Sequence, residues 1–172
     1  MKKSTRTVQE ITTIAAMATI LEAGKWALSA VPNVELMSLL LMLYTLYFGP
    51  KRTLITIYIF DAIESLIWGF GLWSVSYLFV WDILVLLTWA LRSNKSQWPF
   101  VVLSAVFGLS FGALCSITTL VIGGPHAALS WWIAGIPYDV AHCIGNAAVA
   151  SLLFTPLSKA LQIIIKRFGF NK

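Results

Sequence analysis

Long apolar blocks separated by short clusters of Pro, Gly and Asn set the pattern of this chain. The blocks run from Ile11 to Ala30, Val34 to Phe48, Thr53 to Trp68, Leu72 to Leu91, Pro99 to Ile122 and Tyr138 to Ile165. Several are near the roughly 20 residues that carry a helix across a hydrocarbon core. The separators are Val31-Pro32-Asn33, Gly49-Pro50, Gly69-Phe70-Gly71, Ser93-Asn94-Lys95 and Gly123-Gly124-Pro125, residue types that end helices. Blocks of this length argue for helices and against the alternating pattern of a barrel. The pattern predicts an all-α integral membrane protein: one domain over residues 1–172, folded as a compact bundle of six transmembrane helices.

Composition strengthens that reading. Residues are 59% hydrophobic and 11% charged, where soluble domains carry about 25% charged residues; mean hydropathy is +0.83. The basic N-terminus leads into an apolar block that contains Glu22 and Lys25, which reads as a first membrane helix and not a signal peptide. Cys115 and Cys143 both fall inside predicted spans and read as small buried side chains.

Charge then orients the bundle. Ten of the twelve Lys and Arg lie before span one, between spans two and three, between four and five, or after six; Lys159 lies in the last turns of span six, on the same side, and Lys25 lies in the body of span one. The positive-inside rule places both termini in the cytoplasm and makes the protein multi-pass. No basic patch is interleaved with exposed aromatics, so the net charge of +5 follows topology and predicts no nucleic-acid partner. The outer connections become Val31 to Glu35, Trp68 to Ser76 and Gly123 to Pro137. Within the last of these, Pro125 to Ile136 carries His126, Trp131 and Trp132 and is too short to span. It reads as an interfacial segment or an inward-folding lid.

Polar groups gather toward that outer side. Asp139, His142 and Asn146 stand three and four residues apart, within about 60° on one helical face. Asp61, Glu64 and Trp68 repeat the spacing on span three, and Trp73, Tyr77 and Trp81 recur every four residues on span four, with Asp82 beside the last. Ionisable groups inside a membrane helix are usually retained for function, and flat aromatic walls suit a planar heterocycle whose edge is held by acids and His142. Each stripe also has a plainer use in helix packing. Span one differs: Ala15, Thr19, Ala23 and Ala27 form a small-residue strip on which another helix can approach closely, and Glu22 and Lys25, three apart, can pair locally.

Several chemistries lack their residues. Gly49-Pro50-Lys51-Arg52-Thr53 lacks the glycine spacing of a phosphate-binding loop, and no His-Glu-x-x-His helix or suitably spaced Cys pair marks a zinc site. No catalytic residue and no bound metal or cofactor is predicted.

The six short spans, the basic ends, the small-residue strip and Pro32-Asn33-Val34-Glu35 after it resemble the substrate-binding S component of energy-coupling factor (ECF) vitamin transporters, which are ABC-type importers. Gly69-Phe70-Gly71-Leu72-Trp73 and Gly135-Ile136-Pro137-Tyr138-Asp139, leading to His142 and Asn146, are similar to members of that group. The resemblance implies a bacterial cytoplasmic-membrane protein that is not itself an enzyme. It would bind a vitamin or precursor in the outer half of the bundle and work with a transmembrane coupling subunit and two cytoplasmic ATPases, which use ATP. It assigns docking to Ala15, Thr19, Ala23 and Ala27. It places the ligand among Asn33, Glu35, Asp61, Glu64, Trp68, Trp73, Tyr77, Trp81, Trp132, Asp139, His142 and Asn146. Hydroxymethylpyrimidine or a pyridoxine-like ring suits the acids and aromatics, with cobalamin next. Two alternatives stay open: an intramembrane metal-dependent hydrolase using Glu64, His126, Asp139 and His142, and an autonomous proton-coupled carrier in which Asp61, Glu64 or Asp139 titrates.

Overall fold

The computed structural model describes the backbone over residues 2–31 and 34–168 and the side chains over residues 8–31 and 34–167. Its described residues are all-helical, in five elements: α1 (Lys2–Leu28), α2 (Met37–Phe48), α3 (Pro50–Trp68), α4 (Leu72–Ala90) and α5 (Trp98–Phe168). The last is two helices joined at Gly124, whose φ of 78° and ψ of 179° break the helix. Only glycine takes that conformation without strain, and Pro125 then starts the second arm with the φ that a first helical turn needs.

The arms of α5 fold back on each other. Phe100 stacks on Phe154 with centroids 5.1 Å apart. Asn146 Nδ2 donates to the Ser104 carbonyl at 3.3 Å, and the Gly112 N–H donates to Asp139 Oδ1 at 2.8 Å. Glycine lets the backbones approach this closely. A Cβ on Gly108 would stand 2.9 Å from the His142 backbone, and one on Gly112 would stand 2.6 Å from Asp139 Oδ2.

At the centre lies α2, which packs against all four other helices. Its residues from Met37 through Thr45 are all buried, as expected of a helix that is apolar all round. Twelve residues make it about 18 Å long, too short to cross a hydrocarbon core of about 30 Å. Gly49, at φ +88°, links it to α3 in a single residue. The outermost helix, α1, packs on α3 and α2. It buries Ile14, Met17, Ala18 and Leu21 and leaves Ala15, Thr19, Ala23 and Ala27 exposed. Among the described residues, α4 and α5 are long and apolar enough to cross a membrane. Large apolar side chains also face outward around the bundle, among them Leu66, Phe70, Val121 and Leu152.

Three sequence expectations change. Residues 125–137 are helical and run without a break into the rest of the second arm, so Pro125 to Ile136 is the first part of that helix and not a separate segment. Pro137 fails to start the last helix at Tyr138 because proline removes one N–H donor without preventing α-helical φ, and apolar helices tolerate it. The connection expected from Trp68 to Ser76 shrinks to Gly69–Gly71. Lys25 forms its ion pair across to Glu64 on α3, while the two carboxylate oxygens of Glu22 are buried with no hydrogen-bond partner.

Replacing Gly108 with Ala should destabilise the protein by about 1–3 kcal/mol, the usual range for forcing extra atoms into a packed contact. Gly135→Ala, where a Cβ meets nothing within 4 Å, should be neutral or stabilising by up to about 1 kcal/mol. Thermal unfolding of both variants in detergent checks the pair; equal losses would mean that close approach of the α5 arms is not what Gly108 provides.

Candidate functional site

The spacing of three and four residues on α3 sets Asp61 and Glu64 on the face turned into the bundle, where they are 5% and 1% exposed. Glu64 Oε2 forms an ion pair with Lys25 Nζ of α1. Trp68, one turn further along, is exposed and covers this pair. Its ring lies 5.7 Å from Lys25 Nζ and stacks on Trp26 at 6.0 Å, so the ammonium sits between a carboxylate and an aromatic face.

The aromatic ladder of α4 forms as its spacing predicts and extends further than that spacing indicates. Trp73 meets Tyr77 edge-on at 5.4 Å, and Tyr77 meets Trp81 at 5.6 Å. The column continues onto α5 through Phe111, 5.3 Å from Trp81 and 5.4 Å from the His142 ring. Phe107 and Phe111 form the facing half of this wall, and their spacing of four is a signal present in the sequence. Trp81 is buried at the deep end. Asp82 lies outside the column, accepting a 2.6 Å hydrogen bond from the Tyr58 hydroxyl as a strut between α4 and α3.

Three cavities meet at Tyr77. One of about 240 Å³ lies between α1, α2 and the column and is lined by Lys25, Glu35, Phe60, Tyr77, Trp81 and His142 among others. A second, about 460 Å³, opens between α4 and α5 beside Trp73, Phe111, Trp131, Tyr138, Asp139 and His142. The third, about 190 Å³, is bounded by Lys25, Glu64, Trp68, Trp73 and Tyr77. Tyr77 belongs to all three and His142 to the two larger ones, so both stand as partitions inside one polar, aromatic region.

The stripe on the second arm of α5 divides by role. Asp139, 4% exposed, lines the largest cavity; the Gly112 N–H holds Oδ1, and Oδ2 has no partner. His142 Nε2 lies 3.7 Å from Glu35 Oε1, which also accepts from Ser38 Oγ at 2.9 Å. Asn146 lines none of these cavities. It donates to Ser38 Oγ at 3.1 Å and to the Ser104 carbonyl, tying α2 to both arms of α5. Asn146 is therefore a clamp behind Glu35 and not a wall of the pocket.

Of the other expected ligand residues, Glu35, Glu64, Trp68, Trp73, Tyr77, Trp81, Asp139 and His142 line one cavity or more. Asp61 is buried outside the linings, and Asn33 lies outside the described residues. Trp132 lines none of the three; Trp131 takes the place assigned to it, because neighbouring residues on a helix point about 100° apart. Sequence reasoning does not reach Lys25 as a site residue, although a single basic residue within a span is itself a signal that a partner waits on another helix. Among the described residues, no group of three or more His, Cys, Asp and Glu gathers in a metal-binding arrangement, and His126 stands exposed at the start of the second arm.

Comparison with protein-family models, with curated proteins and with solved structures gives no match.

Glu64 is buried and Lys25 is 43% exposed, so removing Lys25 leaves a buried carboxylate without its counter-charge. Lys25→Met should destabilise the chain by about 2 kcal/mol, and the double variant Lys25→Met/Glu64→Leu should recover most of the loss. Thermal unfolding of the single and double variants reads this; additive losses would mean that the pair is not a coupled unit.

Proposed function

We propose that this chain is a substrate-binding membrane subunit of the ECF S-component type. It captures a small nitrogen heterocycle on one side of the bilayer and hands it over through an ATP-driven partner module. The bundle places six helical segments in the bilayer, the two arms of α5 counting separately and the short α2 enclosed by the rest, with both termini in the cytoplasm, as the distribution of Lys and Arg favours.

One observation carries the reading: α1 has two working faces. One side contributes Leu21 and Lys25 to the cavity beside Tyr77. Another carries Ala15, Thr19, Ala23 and Ala27, all exposed among the described residues. The Thr19 hydroxyl is satisfied by the Ala15 carbonyl at 2.9 Å, so the strip offers a close-packing surface with no polar demand of its own. A helix with a ligand cavity on one side and an unused small-residue surface on another suits a subunit whose ligand release follows from docking. A partner that binds the open and closed states differently can drive that release, and one that binds them equally cannot.

The ligand region supports a small ring. Cavities of about 190 to 460 Å³ lie at or below the lower end of small-molecule sites, which favours a hydroxymethylpyrimidine-like or pyridoxine-like compound over a corrinoid. A second reading draws on the unpartnered buried oxygens of Asp61, Glu64 and Asp139, since such carboxylates also serve proton-coupled carriers.

Reconstitution in liposomes separates the two. Uptake should require a coupling subunit and two ATPases with ATP; uptake by this chain alone, driven by a proton gradient, would select the carrier. Ala23→Trp should abolish co-purification with the coupling subunit and leave ligand affinity within about twofold, a change of about 0.4 kcal/mol. Normal assembly of that variant would remove the strip from the docking surface.

A further inference from the structure

The cavities around Tyr77 carry more negative than positive charge. Glu35, Glu64 and Asp139 line them, opposed by Lys25 and by His142 when it is protonated. Asp61 stands behind, near enough to Tyr77 for its charge to act on the phenol. Each of the three lining carboxylates has one oxygen held internally. Lys25 takes one oxygen of Glu64, the Gly112 N–H takes one oxygen of Asp139, and Ser38 and His142 share one oxygen of Glu35.

What remains is a set of acceptors with nothing to accept from. Glu64 Oε1, Asp139 Oδ2 and Asp61 Oδ1 are buried with no hydrogen-bond partner, on side chains 1%, 4% and 5% exposed. An ionised carboxylate only accepts, and leaving it unpaired away from water is costly. The two cavities that Glu64 and Asp139 line share Trp73 and Tyr77, whose faces attract a flat cation. An anionic ligand would meet these same carboxylates with repulsion and would have one lysine to hold it.

We propose that the site selects a planar nitrogen base bearing a positive charge, its N–H donors held by Glu64 and Asp139 and its ring set against Trp73 and Tyr77. This rests on the reading of the region as a ligand pocket and narrows it from a heterocycle in general to a cationic one.

The test uses three probes of one shape. Benzamidinium, benzamide and benzoate differ in charge at nearly constant size, and calorimetric titration against the full chain in phosphatidylcholine nanodiscs avoids a charge preference from the lipid. Benzamidinium should bind at least about tenfold more tightly than benzamide, as charge-assisted hydrogen bonds imply, and benzoate most weakly. Glu64→Gln should weaken benzamidinium by about tenfold and narrow its lead over benzoate; Asp139→Asn provides the same reading if that variant does not fold. Equal binding of the three probes, tighter binding of benzamide or benzoate, no binding of any, or benzamidinium affinity unchanged in the variant would each overturn the proposal. Assembly with the coupling module is measured separately. A chain that assembles but shows no cation preference loses this inference alone, and one that prefers the cation but fails to assemble loses the transport reading alone.

Discussion

A carboxylate buried in an apolar bundle costs several kcal/mol unless a partner is buried with it, and this chain buries Asp61, Glu64 and Asp139. The arrangement of its helices follows from how far that demand is met. Lys25 of α1 answers Glu64 of α3, in step with the rotation of α1 that its apolar packing sets. That rotation sends Met17 and Leu21 inward and leaves Ala15, Thr19, Ala23 and Ala27 outside. The Gly112 N–H answers Asp139 across the α5 hairpin. Where the demand is unmet, at Glu64 Oε1 and Asp139 Oδ2, cavities lie alongside.

Packing supplies the frame that makes such costs bearable. The short α2 is enclosed on all sides, and Gly49 lets the chain leave it directly into α3. Gly108 and Gly112 bring the arms of α5 close enough for the backbone of one to bond the side chains of the other. Asn146 ties that hairpin to α2 through Ser38, and Ser38 in turn orients Glu35 beside His142. A chain of hydrogen bonds therefore runs from the Ser104 carbonyl through Asn146 and Ser38 to Glu35, on the wall of the cavity between α1 and α2, with His142 3.7 Å beyond it. Such a network is worth more intact than its separate bonds would indicate.

Much of this is legible in the sequence, because the signals concerned are local. The helix breaks at Gly49, Gly69 and Gly124 fall where glycine and proline cluster, and the four-residue spacing of Trp73, Tyr77 and Trp81 places them on one face as found. The small-residue strip on α1 is also readable, since periodicity alone defines a face. Long-range choices are not. Whether Lys25 turns to Glu22 or to Glu64 depends on how α1 and α3 rotate against each other, which no local pattern encodes. The helix through Pro137 and the exchange of Trp132 for Trp131 share one cause: reading that proline as a helix start separates the tryptophans from the helix that sets their direction. Asn146 shares a stripe with Asp139 and His142, but its depth toward α2 makes it structural, and depth is set by the hairpin.

The functional account joins two surfaces on one helix, an aromatic and acidic cavity on one side of α1 and an open small-residue strip on another. Its central claim is that the cavity holds a small cationic nitrogen base when the protein is loaded. The most direct measurement is mass spectrometry of small molecules released on denaturing the chain purified from its own membranes. The account predicts one aromatic nitrogen base, present in near-equal amount to the protein and diminished when Glu64 is replaced by Gln. Stoichiometric release of an anionic compound, or the absence of any stoichiometric small molecule, would contradict it.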